Sequence, residues 1–137
     1  MDEMKEQAKT FADYTTCFSR VRLLPKEVVP IAICGVKNLH PFGCDVVGRK
    51  ILRYPKLAPK RWFWQEWEKT RDNSYYEYWF KKEVLDPLDR AKTWEELKGL
   101  SHGAPFALVC FEPPGEFCHR HLVSAWLRDA GYEIGEF

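Results

Sequence analysis

Pro105–Glu112, PFALVCFE, followed after a short break by Cys118–Ala130, CHRHLVSAWLRDA, decides the fold. The first stretch is an apolar run of strand length, with no polar residue between Pro105 and Glu112. Such a run belongs in the middle of a sheet covered on both sides. Pro113-Pro114-Gly115 breaks it. In the second stretch Leu122, Val123, Trp126, Leu127 and Ala130 share one helical face, and Gly131 supplies the stop. A strand, a tight break and an amphipathic helix form the repeating unit of a parallel α/β sheet.

Further readings work outward from this unit. Phe11–Phe18 is rich in aromatic and Thr residues and reads as a strand, followed by a basic loop over Arg20–Lys26. Val28–Cys34, VVPIAIC, reads as a buried strand that enters the sheet only after Pro30. Lys37–Pro59 reads as one long loop, and helices are predicted over Leu57–Lys69 and Asn73–Leu85, the latter capped by Asn73 and ended by Pro87. Thr93-Trp94-Glu95-Glu96 fits a capping box opening a short helix that stops near Gly99. Tyr132–Phe137 adds an edge strand. The expectation is a single α/β domain over residues 11–137, a small and mainly parallel sheet with helices on its faces, behind a flexible segment 1–10.

The 137 residues suffice for one core without metal or disulfide staples. No stretch approaches the ~20 apolar residues of a membrane helix, and MDEMKEQAKT lacks the apolar centre of a secretion signal. Five cysteines, an odd number with no Cys-x-x-Cys pair, do not form a secreted disulfide framework, so reduced thiols in a cytosolic protein are expected. The net charge of +1 hides an asymmetry: Arg20–Arg61 holds ten Lys and Arg against two acids. Such a stretch is either a solvated basic face or the footprint of a phosphate-bearing partner. Nine of the twenty residues from Arg61 to Phe80 are aromatic, which at helical spacing favours core over base stacking.

Ligands of open parallel sheets bind beyond the carboxyl ends of the strands. Here that place holds Cys110 and Glu112 at the strand end and Cys118, His119 and Arg120 at the helix start. The first turn of a helix has unpaired N–H groups and the positive end of the dipole, so a cysteine there tends toward thiolate and an arginine adds to an anion site. On the helical wheel His119 points at the sheet, Cys118 and Arg120 flank it and His121 points to solvent. Zinc is not expected, because His119 and His121, two apart, diverge by about 160° on a helix. A Cys110/Cys118 redox pair remains open, as does a purely structural turn.

The segment ALVCFEPPGEFCHRHLVSAWL resembles the signature of a bacterial and phage family, domain of unknown function 488, in which a strand ending Cys-x-Glu precedes Cys-His-Arg at a helix start. YTTCFSRVRLLP, PIAICG and YPKLAPK are similar to further parts of its short members. Longer members carry a Gly-x-Ser turn after the first strand and an Asp-x-Arg after the second. CFSR and ICGV stand there instead, with Ser19 in the place of the serine. The resemblance implies a compact α/β domain with a role around nucleotides or nucleic acid.

Two functions follow as expectations. One is an enzyme acting on a nucleotide or nucleic acid, with Cys118 as nucleophile, Glu112 or His119 moving protons beside Cys110, and Arg120, Ser19 and Arg20 binding the anion. The other is a non-catalytic module that binds nucleic acid or protein through Arg20–Arg61. Neither needs a cofactor, a metal or a membrane.

Overall fold

The computed structural model describes residues 12–35, 49–112 and 115–137. The N-terminal segment 1–10 expected to be flexible, Phe11, most of the long loop with Cys44, and Pro113-Pro114 lie outside these residues. Five strands, β1 (Asp13–Cys17), β2 (Val29–Ala32), β3 (Leu52–Arg53), β4 (Phe106–Cys110) and β5 (Ile134–Glu136), form one sheet in the order β3-β2-β4-β1-β5. Every pairing is parallel. The PFALVCFE run is the central strand, buried at every position from Phe106 to Cys110.

The chain steps from β1 through β2 to β3 toward one edge, then from β3 through β4 to β5 toward the other. Parallel crossovers share one hand, so reversing direction moves the connections to the opposite face. The core divides accordingly. The four α-helices among the described residues, α1 (Arg61–Thr70), α2 (Asn73–Phe80), α3 (Arg90–Leu100) and α4 (His119–Asp129), contribute to a cluster with Ile31, Ile33, Phe106, Leu108 and Cys110. The other cluster joins Ala32, Ala107 and Val109 to Val21, Leu24 and Val28, with no α-helical residue. Among the described residues the helices therefore cover one face only, a narrower arrangement than helices on both. Phe63, Phe80 and Phe106 are fully enclosed, each contributing roughly 1.5–3 kcal/mol of burial free energy.

Several local readings are corrected. Pro30 sits inside β2, opposite Ala107. Val29 and Ile33 donate toward β4, so the Pro30 nitrogen faces the other side, where β3 starts pairing only at Ile31; no ladder bond is lost. The basic loop is a 3-10 helix over Phe18–Leu23. The long loop contains β3 and a 3-10 turn over Pro55–Leu57, and the following helix begins at Arg61. Asp72, not Asn73, caps α2 through Tyr75 N–H, while Asn73 accepts from the Trp67 indole. A wider π-type turn over Lys81–Leu85 extends α2. Helix α3 starts earlier than the capping-box reading, with Asp89 accepting from Lys92 N–H and Thr93 buried inside it.

Candidate functional site

Crossovers change face between β2 and β4, which opens a crevice at their carboxyl ends, the usual ligand position in such sheets. A cavity of about 510 Å³ lies there. Cys34 and Gly35 from the end of β2, Phe111 and Glu112 from the end of β4, and Phe117, Cys118 and His119 at the start of α4 line one part. Arg61, Trp64 and Trp67 of α1 and Tyr76 of α2 line the rest. The aromatic cluster of α1 and α2 thus serves both as core and as cavity wall.

Three expected residues, Glu112, Cys118 and His119, line this crevice, and Cys110 lies enclosed behind them. Cys118 caps α4 in extended conformation, and its carbonyl accepts from His121 N–H at 3.1 Å. His119 points at the sheet, buried, and donates from Nε2 to the carbonyl of Ile33 at 2.7 Å. A carbonyl only accepts, so Nε2 carries the proton. Nδ1 then faces the sulfurs of Cys110 and Cys118 at 3.8 and 3.9 Å. The donor atoms of Cys110, Cys118 and His119 lie within 4.8 Å of one another. The spacing argument against a metal paired His119 with His121, whereas the fold gathers a different trio. Three soft donors are one short of the closed four-ligand set of a structural zinc site.

The environment divides the titratable groups. A hydrogen bond from Cys110 is the largest influence holding the Cys118 thiol well below its ordinary range; burial opposes it, while His119 and the Arg120 backbone N–H assist. Burial pushes Cys110 far the other way, helped by its bond to Cys118. Cys34 is pushed up to about 12, chiefly by burial. Glu112 is raised to about 7 by burial and by the negative charge of Cys118. The site therefore pairs a thiolate with a carboxyl that titrates near neutrality, both on the cavity wall.

Arg120 takes a different position. Its guanidinium is fully buried, paired with Glu136 of β5 and donating to the carbonyl of Glu112 at 2.7 Å. It supports the strand end from behind rather than lining the cavity. Ser19 and Arg20 sit on the 3-10 helix after β1, also off the cavity wall: Ser19 lies 3.3 Å from the Cys17 sulfur, and the Arg20 guanidinium stands over Phe137. Sequence reasoning missed Arg61, an exposed residue that lines the cavity and makes no ion pair or hydrogen bond with the described residues. It also missed Cys34; both lie far from the motif in sequence, and only the crevice brings them to it. Within the basic stretch, Arg49 is a clip, donating to the carbonyls of Leu24, Pro25 and Val28.

A family model described as the active DUF488-N3 subclade, DUF488-N3a, matches residues 18–131. Neither the curated proteins nor the solved structures compared with the chain gave a match. The match spans β2, β3 and β4, the helices α1 to α4 and the Cys110–Arg120 signature, and the chain belongs to the DUF488 family.

Proposed function

We propose that this protein is an enzyme acting on a phosphate-bearing small molecule of the nucleotide class, with Cys118 as thiolate nucleophile. Glu112 moves the proton, because a group titrating near 7 both gives and takes one at neutral pH. His119 is fixed beside the sulfur by its Nε2–H bond to the Ile33 carbonyl, and Cys110 stabilises the thiolate by donating. The observation that carries the reading is Cys118 at the N-terminus of α4 on the wall of a cavity built at the sheet's switch point. The aromatic walls suit a planar ring. Arg61 takes over the anion role expected of Arg120, since the Arg120 guanidinium is engaged by Glu136. The word "active" in the subclade's description agrees with catalysis.

Limiting iodoacetamide on the reduced protein, followed by peptide mapping, tests it. Cys118 is expected to be alkylated ahead of Cys17, Cys34 and Cys110, and a panel of nucleotides is expected to protect it. Tightly held zinc with an inert Cys118, or labelling that favours Cys34, overturns the reading.

A further inference from the structure

Cys110 has no route to the cavity. It is fully enclosed at the end of β4, while Cys118, on the neighbouring helix terminus, lines the cavity wall. Their sulfurs lie within 4.8 Å of each other, with His119 Nδ1 beside both. A disulfide needs about 2.05 Å between sulfurs, so side-chain rotation of the two cysteines has a short distance to cover. Gly115, at φ 87° in the strand-to-helix connection, sits in a left-handed conformation that no bulkier residue adopts readily.

We propose that Cys118 is a site of peroxide oxidation and that Cys110 is its resolving thiol, the two forming a reversible intrachain disulfide. The Cys118 sulfur attacks one oxygen of the peroxide. The O–O bond breaks, Cys118 becomes a sulfenic acid, and hydroxide or alkoxide leaves. The Cys110 sulfur then attacks the Cys118 sulfur, the S–OH bond breaks, and the Cys110 proton leaves with the hydroxyl as water. The peroxide is reduced and the two thiols are oxidised by two electrons in all. A thiol reductant reverses the step by exchange. The arrangement has the layout such chemistry requires: one sulfur, nearly fully buried, on the wall of the cavity, and a second enclosed away from the cavity but within reach of the first.

Several features make this assignment more specific than proximity alone. Cys17 stands opposite Cys110 in the β1–β4 register, yet its sulfur is taken up by Ser19 at 3.3 Å. Cys34 lines the same cavity, but burial works against its ionisation, which sets it apart from Cys118 as the thiol that meets the peroxide. His119 bridges only Cys110 and Cys118. The closed disulfide would remove the thiolate from the cavity and so silence the site proposed above, but it does not depend on that site having an enzymatic role.

The test exposes the reduced full chain to a small molar excess of hydrogen peroxide and then blocks remaining thiols. The expected result is an intact mass lower by two hydrogens before blocking, a Cys110–Cys118 linked peptide, and full recovery with dithiothreitol. In Cys110→Ser the linked peptide is absent and a sulfenic acid accumulates on Cys118, trapped as its dimedone adduct. Wild-type protein that moves straight to sulfinic acid on Cys118, or that links Cys118 to Cys34, overturns the proposal. Should Cys110→Ser fail to fold, the wild-type peptide map decides alone. A missing disulfide with rapid Cys118 alkylation defeats this inference and leaves the enzyme reading intact; an inert Cys118 defeats both.

Discussion

The guanidinium of Arg120 on α4 is wholly enclosed and holds both carboxylate oxygens of Glu136 on β5, at 2.9 to 3.2 Å. The same side chain reaches back to the Glu112 carbonyl, and Thr15 of β1 donates to Glu136 at 2.6 Å. One ion pair therefore ties the edge strand, the helix start and the strand that carries the site. Glu136→Ala leaves a buried cation without its partner. Urea unfolding is expected to show a loss of about 3–5 kcal/mol. Arg120→Met combined with Glu136→Leu is expected to recover much of it, because the unpaired charge is gone.

The pH dependence of alkylation gives a second test. An ordinary thiol with a pKa near ~8.5 gains about tenfold in rate per pH unit below that value. Cys118 is held well below this range by the hydrogen bond from Cys110 and by His119. Its alkylation rate is expected to stay within about twofold over the neutral region, when Cys118 is already thiolate. Stopped-flow or mass-spectrometric rates across buffers check this, and a tenfold rise per unit contradicts it.

Glu112 makes stability depend on pH in a defined direction. Its folded value, about 7, lies above its ordinary 4.5, so the native state holds more protons between the two. Stability on this account falls as pH rises from 4.5 to about 7 and is flat beyond. Glu112→Gln removes the slope. Relative to wild type, the variant is expected to gain roughly 1 kcal/mol in alkaline buffer compared with acid, after solvent screening.

Arg49 and its exposed basic neighbours behave differently under charge change. Arg49→Ala frees three carbonyls, those of Leu24, Pro25 and Val28. It is expected to cost about 2 kcal/mol of stability, the scale of charge-assisted hydrogen bonds. Lys50→Glu with Arg53→Glu, both exposed, is expected to change stability by less than about 0.5 kcal/mol. These two changes, leaving Arg49 intact, are the clean probe of nucleic-acid binding. Binding that they abolish, with steep salt dependence, favours the module reading over the enzyme.

The strand–break–helix unit was legible because its signals are local. PFALVCFE can be satisfied only in a sheet interior, and the apolar face of α4 has a helical period. That pattern also pointed His119 inward, and the structure buries it there. Caps were less legible. Asp72 and Asp89 serve where Asn73 and Thr93 fit the pattern equally well, because capping depends on where the backbone turns, and neighbouring polar residues offer the same oxygen. Pro30 read as a barrier since its missing N–H matters only if a partner strand stands on that side.

The sequence by itself determined the class of fold, the family resemblance and the address of the proposed site at Cys110–Arg120, all of which rest on patterns within about thirty consecutive residues. Only the tertiary structure decided what those residues do to one another. Arg120 was free to bind an anion until β5 placed Glu136 against it. Cys110 and Cys118 were separate thiols until the strand end and helix start converged on His119. Arg61 and Cys34 joined the site because crossovers change face between β2 and β4. The physical reason is common to all three: charge pairing, thiol acidity and cavity shape depend on distance through space and on loss of water, and neither is encoded by spacing along the chain.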